Sequence, residues 1–111
     1  MSASRRILII RLSSLGDILH ALPAFADLRA AFPDARIEWL VAEKNRSLLS
    51  AVGGVDEIHA LDVGRPADTA RLVRALRRRR FDCCIDFQGL LKSALLGRLS
   101  GARSRLGFSR A

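Results

Sequence analysis

Short apolar runs alternate along this chain with longer stretches in which apolar residues recur every three or four positions. "RRILIIRL", rich in β-branched residues, reads as a first strand buried on both faces, as in a parallel sheet. Over 17–32, Ile18, Leu19, Leu22, Phe25, Ala26 and Leu28 fall at helical spacing. Pro23 inside that run is expected to kink the helix or mark a short first turn, and Pro33 to end it. "RIEWLVA" alternates, with Ile37, Trp39 and Val41 on one side, and predicts a second strand. "KNRSLLSAVGG" predicts a short helix closed by Gly53 and Gly54, and "VDEIHAL" a third strand. "TARLVRALRRRR" places Leu72, Val73 and Leu76 on one helical face, with Asp68 or Thr69 able to cap its start. "FDCCIDF" predicts a fourth strand, "GLLKSALLGRLSG" a fourth helix ended by Gly101, and "RSRLGF" a fifth strand.

Strands alternating with helices at this spacing mark βαβ units joined by right-handed crossovers. The expected fold is α/β: a Rossmann-like open parallel sheet with flanking helices, without linker or repeat. A length of 111 residues allows one domain with its own core and not two. The chain stops at "GFSRA" with no helix over the last strand, so a piece of something longer is expected.

Charge narrows the partners. The formal net charge is +8, nearly all from arginine, since Lys44 and Lys92 are the only lysines. Such a balance favours phosphates, nucleic acid or an anionic membrane surface. For nucleic acid there is no interleaving of basic and aromatic residues and no recognition signature. The arginine run 77–80 complements the dipole at a helix end, where long side chains are ordinarily solvated. Arg11 interrupts the N-terminal apolar run far short of a signal peptide or a membrane span, so a cytoplasmic, non-spanning chain is expected. Cys83 and Cys84 are adjacent in a strand, pointing to opposite faces, and are expected to be reduced and structural. His20 and His59 lie far apart in sequence, and no metal site is expected.

In an open sheet of order 3-2-1-4-5, ligands sit beyond the carboxyl ends of the strands, where the order reverses between strands one and four. Two loops would flank that crevice, "SSLGD" and "QGLLKS". The first resembles a phosphate loop, yet phosphate loops need several glycines, and this one has Gly16 alone. Asp17 would already occupy the helix end where a phosphate belongs. Two readings stay open for it: with Ser14, a cap in the first helical turn, or a base facing the crevice, able to take a proton from a hydroxyl. In the second loop, Lys92 falls where the helix dipole disfavours a cation, pointing to an anionic ligand or to a carboxylate such as Asp17 or Asp86. Ser93 can simply cap and Gln88 simply turn the chain. Arg65, after the third strand, is a candidate for an anionic acceptor.

The segment "ILIIRLSSLGDILHALPAFADLRAAFPDARIEWLVAE" together with "DFQGLLKSALLGRL" resembles the N-terminal domain of bacterial lipopolysaccharide heptosyltransferases, glycosyltransferase family 9, over almost the whole chain. The resemblance implies the N-terminal half of a two-domain GT-B enzyme. That enzyme transfers heptose from ADP-heptose to the Kdo sugar of the lipid A inner core and inverts the anomeric centre. It implies that Asp17 is the general base, that Ser13, Ser14 and Gly16 shape the acceptor pocket, and that Gln88, Lys92 and Ser93 stand beside it. Residues 1–111 would then be a single, incomplete acceptor-side domain, with the donor-binding domain beyond it, and would be inactive alone. No cofactor and no metal are implied. The partners would be ADP-heptose, an anionic Kdo-lipid A acceptor and the inner face of the inner membrane, where the enzyme would sit peripherally. The loop after strand three carries Arg65 as its only basic residue, which sets it apart from the family pattern. Two rivals remain: a non-enzymatic basic module that docks anionic lipid or nucleic acid, and a dinucleotide-binding oxidoreductase domain, which lacks its glycine-rich loop.

Overall fold

A computed structural model describes residues 5–62, 64–88 and 97–107. Its strands are β1 (Arg6–Ile10), β2 (Arg36–Ala42), β3 (Glu57–Leu61), β4 (Cys83–Asp86) and β5 (Ser104–Gly107). Its helices are α1 (Leu15–Ala31), α2 (Arg46–Ser50), entered through a 3-10 turn at Glu43–Asn45, and α3 (Pro66–Arg78). Every strand pair is parallel and the order is β3-β2-β1-β4-β5. Between β1 and β4 the order reverses, the switch point of a doubly wound sheet, and a right-handed crossover then puts α3 on the face opposite α1.

Both faces of β1 and β2 are covered. Ile18, Ala21 and Phe25 of α1 pack on Ile7, Ile9, Ile37, Trp39 and Val41, and Phe25 meets the Trp39 indole edge-on at 5.5 Å. On the other face Leu76 of α3, supported by Leu72 and Val73, packs on Leu8, Ile10, Leu40, Leu61 and Cys84. Burying aliphatic and aromatic side chains on both faces contributes about 1.5–3 kcal/mol for each one fully covered.

Several local expectations shift. α1 runs unbroken through Pro23 and ends at Ala31, with the Phe32 N–H still bonding back to Leu28. α3 begins at Pro66, before the expected caps Asp68 and Thr69. Pro66 sits where a missing N–H costs nothing and φ is already helical. Asp68 lies instead in the first turn, and Thr69 Oγ donates back to the Arg65 carbonyl. α2 ends at Ser50 with Ala51 as its C-cap, short of the expected stop at Gly53 and Gly54, and Gly54, with φ of +94°, serves the turn that follows. The expected fourth helix lies largely outside the described residues. Residues 97–99 are helical, and Gly101 turns the chain with φ of +76°. Cys83 and Cys84 are unpaired and face opposite sides of the sheet. Cys83 is only half-buried. Burial pushes the Cys84 thiol up to about 12, so it behaves as a small apolar side chain.

Candidate active site

The loop that leaves β1 and the loop that leaves β4 meet at the switch point. Gln88 joins them: its buried Oε1 accepts from the Leu12 N–H at 3.0 Å and the Ser13 N–H at 3.4 Å. Its own N–H donates to Asp86 Oδ1, which turns the chain out of β4. Arg11 ties the same loops from the other side by donating from one terminal nitrogen to the Phe87 carbonyl at 2.7 Å. The Phe87 N–H pairs with the Ile10 carbonyl, so β1 and β4 stay in register up to the crevice. The β2 side is held as firmly, since the Leu12 carbonyl accepts from the Ala42 N–H and from Asn45 Nδ2.

Asp17 stands in the first turn of α1, with Ser14 as N-cap. Its Oδ2 accepts from Ser14 Oγ at 3.0 Å and from the Ser14 N–H at 3.4 Å, the reach-back half of a capping box. The same oxygen lies 2.9 Å from the second terminal nitrogen of Arg11. The Asp17 side chain is 49% exposed, while that of Arg11 is 8% exposed. A cap and a base are therefore compatible in one residue: the carboxylate closes the helix end and still meets solvent in the crevice. Asp17 does fill the position where a phosphate would bind.

The other expected site residues divide by place. Ser13 and Ser14 belong to this loop. A Cβ placed on Gly16 would meet nothing within 4 Å, so packing inside the chain does not require a glycine there. Lys92 and Ser93 lie outside the described residues. Arg65 is the N-cap of α3 behind β3, exposed and paired loosely with Asp62 at 3.8 Å. β3 is two strands from β1, about 10 Å across the sheet, and the loop that carries Arg65 leaves from the same carboxyl-end edge as the Asp17 loop.

Sequence reading missed Arg11 as a member of this site. The signal was present: an arginine ending an apolar strand, directly before the polar loop, must either break the core or serve the loop. A second grouping was equally unforeseen. Glu38, Glu57 and His59 bring ligand atoms within 4.8 Å of one another behind the sheet, away from the crevice. Arg79 pairs with both glutamates and Arg36 with Glu38, so guanidinium groups already neutralise those carboxylates.

Residues 69–111 match the family described as glycosyltransferase family 9 (heptosyltransferase). Lipopolysaccharide heptosyltransferase 1 of Escherichia coli O18:K1:H7 is 34% identical over 101 residues, covering 82% of this chain and 31% of the relative. The solved structure of E. coli heptosyltransferase WaaC with ADP superposes with a TM-score of 0.80 at 33% identity, over 93% of this chain and 35% of that one. WaaC with ADP-2-deoxy-2-fluoro heptose superposes at 0.76 and 32% identity, over 94% of this chain and 35% of that one. The chain belongs to glycosyltransferase family 9. It spans about a third of the length of the curated relatives it matches. In this family 9 chain, the similarity to the WaaC structures extends over nearly the whole chain. No described helix is long and apolar enough to cross a membrane.

Proposed function

We propose that this chain is the acceptor-side domain of an inverting heptosyltransferase, acting in lipopolysaccharide core assembly with a second, donor-binding domain. The observation that carries the reading is the switch-point geometry: a solvent-facing carboxylate, Asp17, held by Arg11 and Ser14 at the junction of two loops stitched together by Gln88. Family membership supplies the reaction class, and the WaaC structures bound to ADP and to an ADP-heptose analogue support ADP-heptose as the donor.

In this reading Asp17 removes the proton from an acceptor hydroxyl as that oxygen attacks the anomeric carbon. The bond to the ADP phosphate oxygen breaks on the opposite face, and ADP leaves with the bonding pair. A single displacement of this kind inverts the centre and needs one base and no covalent nucleophile. Ser13, Ser14 and Gly16 border the acceptor, and Gln88 shapes the pocket by holding the loop. Lys92, Ser93 and Arg65 are offered to the anionic groups of a Kdo-lipid A acceptor. The net charge of +8 suits that acceptor and the inner face of the membrane that carries it.

The direct test incubates the whole enzyme containing this chain with ADP-heptose and Kdo-lipid A. Heptose addition with release of ADP is expected. Transfer from ADP-heptose to no Kdo-bearing acceptor would overturn the assignment.

Gly16 separates this reading from a purely structural loop. Since an alanine Cβ there meets only open space, Gly16→Ala should leave the fold intact or stabilise it by about 0.5–1 kcal/mol. If the acceptor uses that space, the acceptor KM rises while the donor KM stays put. An unchanged acceptor KM would remove Gly16 from the pocket.

A further inference from the structure

We propose that Arg11 is the positioning residue for Asp17, fixing the carboxylate's orientation from beneath the crevice. The inference rests on the reading of Asp17 as the base and adds a residue which that reading did not contain.

Three elements converge on Arg11. Its backbone is anchored to β2: its N–H donates to the Leu40 carbonyl, and its carbonyl accepts from Trp39 Nε1 at 3.2 Å. Its side chain then crosses under the loop. One terminal nitrogen is spent on the Phe87 carbonyl at 2.7 Å, and the other meets Asp17 Oδ2 at 2.9 Å. The geometry is a brace from the β4 loop to the start of α1, with the cation as the part that holds Asp17.

A mere structural ion pair does not account for this arrangement well. Burying a guanidinium is costly, and its Nε is buried without a hydrogen-bond partner among the described residues, so these contacts do not maximise its own hydrogen bonds. What the placement does secure is orientation. Arg11 and Ser14 hold Oδ2 from two directions, which sets the plane of the carboxylate and therefore the direction of the lone pairs on Oδ1. A base acts through its alignment with the attacking hydroxyl, and that alignment is what these contacts set.

The test uses the whole enzyme with ADP-heptose and Kdo-lipid A, comparing R11Q, R11K, D17N and the R11Q/D17N double variant. R11Q keeps a polar group for the Phe87 carbonyl but no charge for Asp17, while R11K keeps the charge. The expected result is a kcat loss of about 10- to 100-fold in R11Q, with the donor KM unchanged and most of kcat restored in R11K. In the D17N background R11Q should cost nothing further, because its effect runs through the missing carboxylate. If D17N is inactive while R11Q turns over at the wild-type kcat, the proposal is overturned and the base reading stands. An additive loss in the double variant, or equal losses in R11K and R11Q with both melting normally, overturns it too. If D17N itself turns over normally, the base reading fails and Arg11 falls with it. Should R11Q not fold, R11K alone carries the decision: a kcat near wild type supports the brace, and a collapse of kcat at an unchanged melting midpoint refutes it.

Discussion

Replacing Asp17 by asparagine in the whole enzyme is expected to lower heptosyl transfer by about 10²- to 10⁴-fold, the range for losing a positioned general base. The fold should barely notice. Asparagine retains an acceptor oxygen for the Ser14 N–H and hydroxyl, so the helix end stays closed. What is lost is a charge facing Arg11 across 2.9 Å, in a pair whose carboxylate is half in solvent. Screening holds such a loss below about 1 kcal/mol. Donor binding should be unaffected, measurable as an unchanged Kd for ADP. Ser14→Ala is the complementary variant, because it weakens the cap by about 1 kcal/mol and also removes one of the two groups that hold Asp17 Oδ2, so a lower melting midpoint with a partial loss of kcat, smaller than in Asp17→Asn, is expected. The cap reading predicts the reverse ranking, with Ser14→Ala and Asp17→Asn both affecting the melting midpoint and neither affecting kcat. Near-normal turnover in Asp17→Asn would therefore restore the cap as the whole explanation.

The course of the chain was legible where one physical cue dominated. "RIEWLVA" reads as a strand with the same bounds as β2, because β-branched and aromatic residues leave a helix little support there. The order β3-β2-β1-β4-β5 is the one expected of an open doubly wound sheet, and it brings the loops after β1 and β4 together without any knowledge of side chains. Errors arose where two cues competed. Asp68 and Thr69 looked like caps, but Pro66 carries the stronger signal for the first helical position. Pro23 reads as a kink or as the mark of a first turn; it lies well inside α1, and packing of Phe25 and Ile18 on the sheet supports the helix through it. Gln88 does turn the chain, as read, and in addition cross-links the two loops, a role that no local pattern encodes because its partners are about seventy-five positions away. Arg11 escaped for the same reason: its partners Phe87 and Asp17 are assembled only by the sheet.

Glu38 is the deepest of these hidden groups, and it leads to the largest expected effect on stability. Alternation in β2 puts it opposite Trp39, the side that pattern alone assigns to water, but α3 covers that side too and leaves the carboxylate 0% exposed. Burial by itself would push the carboxyl up. His59 Nε2 at 2.6 Å, Arg79 at 3.4 Å and Arg36 at 3.1 Å outweigh it and hold the group below the ordinary 4.5. Glu38→Gln keeps the shape and removes the charge, stranding those donors against a neutral amide. Breaking a buried pair this way costs about 3–5 kcal/mol, and the lower end applies because Arg36 and Arg79 keep some access to water. Out of a total of about 5–15 kcal/mol, that is a large share. The sign with pH follows from the direction of the shift. A carboxyl depressed in the folded state contributes its full stability above the unfolded value and loses it as pH falls through the folded one. Urea unfolding of the wild type and Glu38→Gln should therefore differ most at neutral pH and converge in acid below the ordinary carboxylate range, where the wild-type carboxyl takes up its proton. Equal midpoints at pH 7 would mean that the arginines are satisfied by solvent and that Glu38 contributes nothing to holding α3 on the sheet. A gap that persists unchanged into acid would instead assign the effect to packing of the side chain and not to its charge.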